Sequence, residues 1–428
     1  MPPTPKRRFP GQLQLEFFRD RLGTVRSIAR ECGAIGQFSF WPIHFYLISE
    51  PNLIEQLIVD QQPRIMQGLP IQNSKRLFGD GLITAENPLH DRQRRVLQPM
   101  LDYPRVYPYA QAITEGAQRT PWKDGQVVDI QEEMRRICLV VANKVLFDED
   151  VEEYAAEASA AATQVMFGID RLNLPIGRLI DRFPVPPTLK FRRGVEFFDQ
   201  LVGRMMQRSR EHRRGLMAEL VGHESITEQQ VRDELSVALF AAYVLNGTAL
   251  TWAWYLLARH PDAQRRLHEE LDGALGGREP GANELERLGY TRAVTLETMR
   301  LYPPIWTLSR QVLEDIDVGG YELRAGSQVF CPQYTVQRDP RRYPEPDRFR
   351  PERWLEGPRP APLTYFPFGW KQRLCTGEPL SWVEQALVVA TIGSRWAFEL
   401  VEKEPIQRRP WLAQFPLHGI KMRVRPRA

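Results

Sequence analysis

The sequence predicts a mainly α protein with minor β: one large helical domain carrying a small β-rich lobe. Three observations carry this reading. Residues 236–258 contain no charged side chain, the mark of a long helix that is apolar all round and therefore buried. Two helix-opening signatures, Asp129 with Glu132 and Thr227 with Gln230, place a capping residue three positions ahead of a carboxylate or amide. Between Pro304 and Glu378, short apolar runs alternate with Gly and Pro turns, the pattern of short strands. No repeat, low-complexity segment or linker divides the chain, so residues 1–428 read as a single domain.

The elements follow in order. Ile43 to Ile48 is a β-branched and aromatic run and reads as a strand. Ser49 then caps a short helix over 53–59. Asp129 opens a helix whose Met134, Ile137, Cys138 and Val141 share one face. Thr227 opens the long helix, which runs to about Arg259 and spans roughly 47 Å at about 1.5 Å per residue. Pro261 sits at a favoured first-turn position of the next helix. A Gly- and Pro-rich loop, 276–281, follows. A helix over 291–301 stops at Pro303-Pro304. The last helix covers 378–396.

Composition excludes several classes. At 428 residues and 43% hydrophobic, the chain can bury a large core and is not disordered. A net charge of +4 gives no footprint for nucleic acid. Four cysteines are too few for a disulfide scaffold, so a reducing, cytoplasmic setting is expected. The basic opening Lys6-Arg7-Arg8 is followed by no apolar run, so it is not a secretory signal. The uncharged stretch 236–258 is long enough to cross a bilayer, but Asn246, Gly247, Thr248 and Thr251 stand in its middle. A polar cluster there suits a helix inside a folded protein better than one in lipid.

Two constellations carry chemistry. Cys375 ends the run Phe366-Pro367-Phe368-Gly369-Trp370-Lys371-Gln372-Arg373-Leu374-Cys375. Alone it reads as a buried structural thiol. Against that, a helix begins just after it and Arg373 lies two residues away; both favour thiolate. The aromatic and Gly residues before it can shape a tight loop around a soft ligand for a haem iron. Glu297 and Arg300, at i and i+3, share one helix face. Alone they are a surface pair worth little. Apolar Leu296, Met299 and Leu301 beside them suggest burial, with Arg353 of Phe349-Arg350-Pro351-Glu352-Arg353-Trp354 as a third partner.

Taken together and in this order, these motifs resemble the cytochrome P-450 superfamily over essentially the whole chain. Glu297-x-x-Arg300 with Leu301-Tyr302-Pro303-Pro304 looks like its helix-K signature, 349–354 like its meander, and 368–377 like its haem-binding loop. The resemblance implies haem b, with Cys375 as the axial thiolate of the iron. It also implies that His90, Arg94, Arg310 and Arg373 hold the haem carboxylates, as Arg forks and a His donor would. Arg92 and Arg95 are then left facing solvent, toward an electron donor. Glu297, Arg300 and Arg353 become a structural charge cluster.

The sequence departs from the family where the long helix should meet oxygen. Its tail, 248–261, matches without a gap, which sets Val244 and Leu245 at the usual acid and alcohol positions. Neither can move a proton, so Asn246 and Thr248 become the candidate catalytic residues. Lys371 stands where Gly is usual, which should strain the turn. Gln337 replaces a frequent His, and Thr376 a usual apolar residue. Family topology places Ala241, Ala242, Val244 and Leu245 beside the haem, with Ile305, Trp306, Thr307 and Leu308 lining an apolar pocket.

The resemblance thus implies a haem-thiolate oxidoreductase acting on an apolar small molecule: a terpenoid, polyketide or aromatic metabolite of secondary metabolism. The helix after Cys375, with Trp382, Glu384 and Trp396, is similar to that of soluble bacterial terpenoid oxidisers. The expectation is a cytoplasmic monomer using dioxygen and electrons from a separate ferredoxin-type partner, with no nucleic acid and no membrane anchor. The alternatives are a peroxide-dependent or non-hydroxylating haem enzyme (coupling, desaturation, rearrangement) and a non-catalytic haem-binding homologue.

Overall fold

The computed structural model describes every residue except Pro175, Arg359, 403–405, Trp411 and Ala428. Helices take 55% of the chain and strands 12%, which makes the fold mainly α with minor β. Two compact units are present, and neither is continuous in sequence.

The first unit combines Met1–Asn73, Arg300–Arg348 and Pro358–Cys375. Its centre is a five-stranded sheet in the order Ile35–Phe40, Ile43–Ile48, Gln328–Cys331, Leu308–Val312, Ile65–Gln67. All neighbours run antiparallel except Ile43–Ile48 with Gln328–Cys331. Successive side chains point to opposite faces. Tyr46 and Ile48 therefore join a core with Ile35, Val312, Val329 and Cys331. Leu47 joins the opposite one, with Phe38, Phe40 and Phe330. That second face is covered by the helix Arg21–Cys32, whose Leu22, Val25 and Ile28 repeat at helical spacing.

The strand at Ile43–Ile48 forms as expected, paired with Ile35–Phe40, whose Gly36 and Ser39 hide the strand signal. The short helix after it starts differently. It runs Pro51–Glu55 and continues into a wide turn, Gln56–Asp60. Ser49 does not cap it, because its hydroxyl donates to the Gly33 carbonyl at 2.8 Å. Pro51 at the first helical position gives the start signal instead.

The second unit combines Ser74–Met299, Phe349–Gly357 and Thr376–Ala428. It holds the long helix, Glu228–Arg259. The capping box at its start is present: Gln230 N donates to Thr227 Oγ1 at 3.2 Å, and Thr227 N to Gln230 Oε1 at 2.9 Å. By length and composition this helix could cross a membrane, yet 72% of its most apolar window is buried inside the protein. Trp252 and Trp254 have no exposed surface, and the Trp252 indole donates to the Gln414 carbonyl at 3.0 Å. The helix packs on Ile130–Phe147. The approach is tight at Gly247, where a Cβ would lie 3.2 Å from Arg135 Cα.

Two sequence expectations need correction here. Asp129 does cap the helix Ile130–Phe147, accepting from Gln131 N at 3.0 Å, but it makes no box with Glu132. Asp129 ends the strand Val127–Asp129, paired with Lys421–Pro426, and its carboxylate also accepts from Ile420 N. Glu132 turns outward toward Arg135 instead. The last helix ends at Gly393, not at Trp396. Trp396 opens the strand Trp396–Leu400, and its indole donates to Thr120 Oγ1 at 3.2 Å.

Candidate functional site

The loop that ends in Cys375 is folded by two left-handed residues, Gly369 (φ 84°) and Lys371 (φ 49°). They let the chain double back, so that Cys375 N donates to the Phe368 carbonyl at 2.9 Å and Gly369 N to the Phe366 carbonyl at 3.0 Å. The base of the loop is pinned by two buried glutamines. Gln333 Nε2 donates to the Phe366 carbonyl at 3.1 Å, and Gln337 Oε1 accepts from Phe366 N at 3.0 Å. Gln337 Nε2 donates in turn to the Arg300 carbonyl at 3.1 Å. The residue that replaces a frequent His thus links the end of the 289–301 helix to the loop.

Lys371 holds a conformation that costs an L side chain about 1–2 kcal/mol. Part of that cost is offset by the lower unfolded-state entropy of a non-Gly residue. Lys371→Gly is therefore expected to stabilise the protein by about 0.5–1 kcal/mol. A thermal melt of the two proteins checks this; an unchanged or lower midpoint for the variant would show the turn to be unstrained.

The four cysteines differ sharply in setting. Cys138 and Cys331 are buried, Cys32 is half-buried and Cys375 is exposed. Burial pushes the Cys331 thiol up to about 12 and the Cys138 thiol well above its usual range, and it raises Cys32 as well. Burial thus disfavours thiolate at these three, whereas Cys375 is exposed at the end of its loop.

The charge-bearing residues expected around the 289–301 helix are all taken up in bonds. Glu297, with no exposed surface, accepts from Arg353 Nε and Arg350 N at 3.0 Å each, and from the Trp354 indole at 2.8 Å. Arg300 is also fully buried and donates to the carbonyls of Gln337, Pro346 and Arg348 at 2.8, 2.7 and 3.2 Å. Its guanidinium lies over the Tyr343 ring. Arg310, 6% exposed on its strand, donates to Gln67 Oε1 at 2.9 Å and to the Ser309 carbonyl. Arg373 is half-buried.

His90 and Arg94 lie one turn apart on the helix Leu89–Leu97, with His90 buried and Arg94 half-buried. His90 Nδ1 stands 3.1 Å from Asp91 Oδ1, and Arg94 donates to Gln98 Oε1 at 2.8 Å. Arg92 and Arg95 are exposed.

The long helix widens into a π turn over Ala241–Leu245 and resumes at Asn246. Such turns are rare and concentrate at functional sites. Ala241 and Leu245, one turn apart, are half-exposed on a shared face, whereas Val244 has no exposed surface at all. The structure thus separates the pair expected to form one wall: Leu245 stands on the accessible face and Val244 in the packed interior. Both expected catalytic groups hold internal bonds. Thr248 Oγ1 donates to the Val244 carbonyl at 2.7 Å. Asn246 Nδ2 donates to Glu384 Oε2 at 2.6 Å.

The pocket expected after Pro304 also divides. Ile305, Thr307 and Leu308 are half-exposed, but Trp306 is 5% exposed and packs into the core with Leu22, Val25 and Phe330. The chain bends at 304–305 before the strand Leu308–Val312 begins, and this turn carries the Trp306 ring into the core while Ile305 and Thr307 stay half-exposed.

The sequence reading did not assign roles to Gln333, Cys138, Ser381 or Gln385, and it used Glu384 only as a likeness. The one available signal was a second carboxylate, at 384, well past the first turn of a helix whose later residues are mostly apolar.

The donor chemistry fits a haem. An exposed thiol on a pinned loop has the chemistry an iron needs, and arginine and histidine side chains have the chemistry its carboxylates need. The chain matches the family model described as Cytochrome P450 over residues 1–422. It is 32% identical over 397 residues to cyclooctatin synthase of Streptomyces melanosporofaciens, covering 89% of this chain and 86% of that protein. It is 29% identical to cyclooctat-9-en-7-ol 5-monooxygenase of the same organism, covering 85% and 82%. Pentalenene oxygenase of Streptomyces avermitilis is 26% identical, covering 92% and 90%. The chain belongs to the cytochrome P450 family and is a haem-dependent oxidoreductase.

Proposed function

We propose that this enzyme oxidises an apolar terpenoid-like molecule at a haem held by Cys375, with electrons from a separate ferredoxin-type protein. The observation that carries the reading is the setting of Cys375, an exposed thiol on a pinned loop, beside three cysteines at which burial disfavours thiolate. The similarity to relatives named for oxidation of cyclooctat-9-en-7-ol and pentalenene supports the substrate class. A single family domain spanning 1–428 is part of the proposal, since both units draw on early and late parts of the chain. So is a cytoplasmic monomer without a membrane anchor or nucleic acid. Burial of the long helix inside its own unit supports the missing anchor.

When bound, the haem supplies the iron at which an oxidant is activated. The protein's part is to hold and shield. His90, Arg94, Arg310 and Arg373 would hold its carboxylates, and Cys375 its iron. In the second unit Ala241 and Leu245 would offer apolar surface to a substrate, with Val244 in the interior of that unit; in the first unit Ile305 and Leu308 would do the same, next to Thr307. Proton supply is the unusual feature. Val244 and Leu245 carry no exchangeable side-chain proton, one Asn246 N–H is engaged with Glu384, and the Thr248 hydroxyl with the Val244 carbonyl. The Asn246 amide does not titrate, and a proton from Thr248 must first leave its bond. Ordered water or a substrate hydroxyl therefore serves as donor.

Restoring the relay tests this. Val244→Asp with Leu245→Thr is expected to raise the fraction of electrons that reach product, by about tenfold if proton delivery limits the wild type. Folding is checked first, since a buried unpaired carboxyl stays protonated or weakens the helix. A well-folded double mutant with unchanged coupling, beside a tightly coupled wild type, would place the native relay elsewhere. Faster turnover with hydrogen peroxide than with a surrogate ferredoxin would favour the peroxide-dependent reading.

A further inference from the structure

The long helix and the helix Glu378–Gly393 are joined by a buried knot of polar side chains. Asn246, Ser381, Glu384 and Gln385 are each less than a tenth exposed, and Glu384 not at all. Ser381 Oγ donates to Asn246 Oδ1 at 2.5 Å, and Gln385 Nε2 donates to Ser381 Oγ at 2.8 Å and to Asn246 Oδ1 at 3.4 Å. These donors fix which way the Asn246 amide points: its oxygen faces them, so its Nδ2 must face Glu384 Oε2, at 2.6 Å. Beyond Asn246, the hydrogen-bonding group set against this carboxyl is the weakly donating thiol of Cys138.

Among the described residues no cation balances this carboxyl. Its partners are Asn246 on the long helix and the thiol of Cys138 on Ile130–Phe147, itself fully buried. Among the described residues, no lysine, arginine or histidine bonds or pairs with it. An isolated buried carboxylate is costly, and a group so placed keeps its proton instead. Burial accordingly pushes Glu384 up to about 8, while the Asn246 bond opposes this only in part.

We propose that Glu384 acts as a neutral carboxylic acid that positions Asn246, and through it the π turn of the long helix that presents Ala241 and Leu245. Asn246 is the residue at which the π turn returns to regular helix, so its anchor sets the turn's register. The sign of the pH effect follows. With an ordinary value of 4.5 and a folded value of about 8, the folded protein holds one proton more than the unfolded chain between those limits. The stabilising share is complete at and below pH 4.5 and is lost as pH rises through 8.

The test compares Glu384→Gln, which keeps a neutral acceptor for Asn246, with Glu384→Leu, which fills the space without one. At pH 6, the infrared difference between wild type and Glu384→Gln should contain a protonated-carboxyl band. The fall of melting temperature with pH between 5 and 8 should be shallower in Glu384→Gln. Product formed per electron should be kept in Glu384→Gln and reduced about tenfold in Glu384→Leu, as a misplaced reacting geometry would require. Should Glu384→Leu yield no holoprotein, Asn246→Ala removes the same bond from the other side and should shift the infrared band and lower coupling. The proposal is overturned if the band is missing, if the two melting slopes agree, if Glu384→Gln couples as poorly as Glu384→Leu, or if Asn246→Ala couples like wild type. The coupling measurement rests on the oxidative reading above; the infrared and melting measurements do not, so the two can fail separately.

Discussion

Cys375→Ser is expected to remove the red-shifted Soret band of the reduced carbonyl complex. A thiolate pushes electron density onto a haem iron, and a serine hydroxyl does not. Changes in outer-shell partners of a metal typically cost about 10–100-fold in activity, so loss of the ligand itself should cost more than about 100-fold. The fold should persist, because Cys375 is exposed and its backbone N–H, which closes the loop on Phe368, is retained in the variant. The measurement is an absorption spectrum of the reduced protein under carbon monoxide, with circular dichroism as the folding control. Survival of the red-shifted band in a folded Cys375→Ser protein would remove Cys375 from the iron.

Glu297→Ala is expected to lower stability by about 3–5 kcal/mol, the cost of breaking a buried ion pair from one side. The geometry explains why the effect is large. One carboxylate with no exposed surface satisfies the Arg353 guanidinium, the Arg350 backbone N–H and the Trp354 indole. Its removal strands a cation and two neutral donors together. Glu297→Gln should cost less, since one amide oxygen can still accept, although Arg353 then lacks a counter-charge. Melting temperature and haem content of the purified protein decide the matter. Normal values for Glu297→Ala would mean that the pair behaves as an exposed one.

Much of the architecture was readable because the signals are local. Thr227 and Gln230 satisfy each other's backbone N–H groups across one turn, so their spacing alone marks the helix start. The uncharged run 236–258 announces a buried helix whatever surrounds it. Asp129 shows the limit. The same spacing with Glu132 gives no box, because the carboxylate at 129 also serves Ile420, far away in sequence. Trp396 shows it again, since its indole's partner at Thr120 lies beyond any local window.

The sequence by itself determined the family landmarks, the thiol at 375 and the apolar identity of Val244 and Leu245, because each is a matter of residue identity at a spacing. Tertiary structure decided which polar groups remain available. The candidate protons at Asn246 and Thr248 are already engaged, one by a carboxyl 138 positions away and one by the carbonyl of Val244. Trp306 packs into a core with Leu22, Val25 and Phe330, partners distant in the chain. Glu384 is fully buried, and among the described residues no cation bonds to it. Protonation and hydrogen bonding depend on what surrounds a side chain in three dimensions, and those neighbours are distant in the chain.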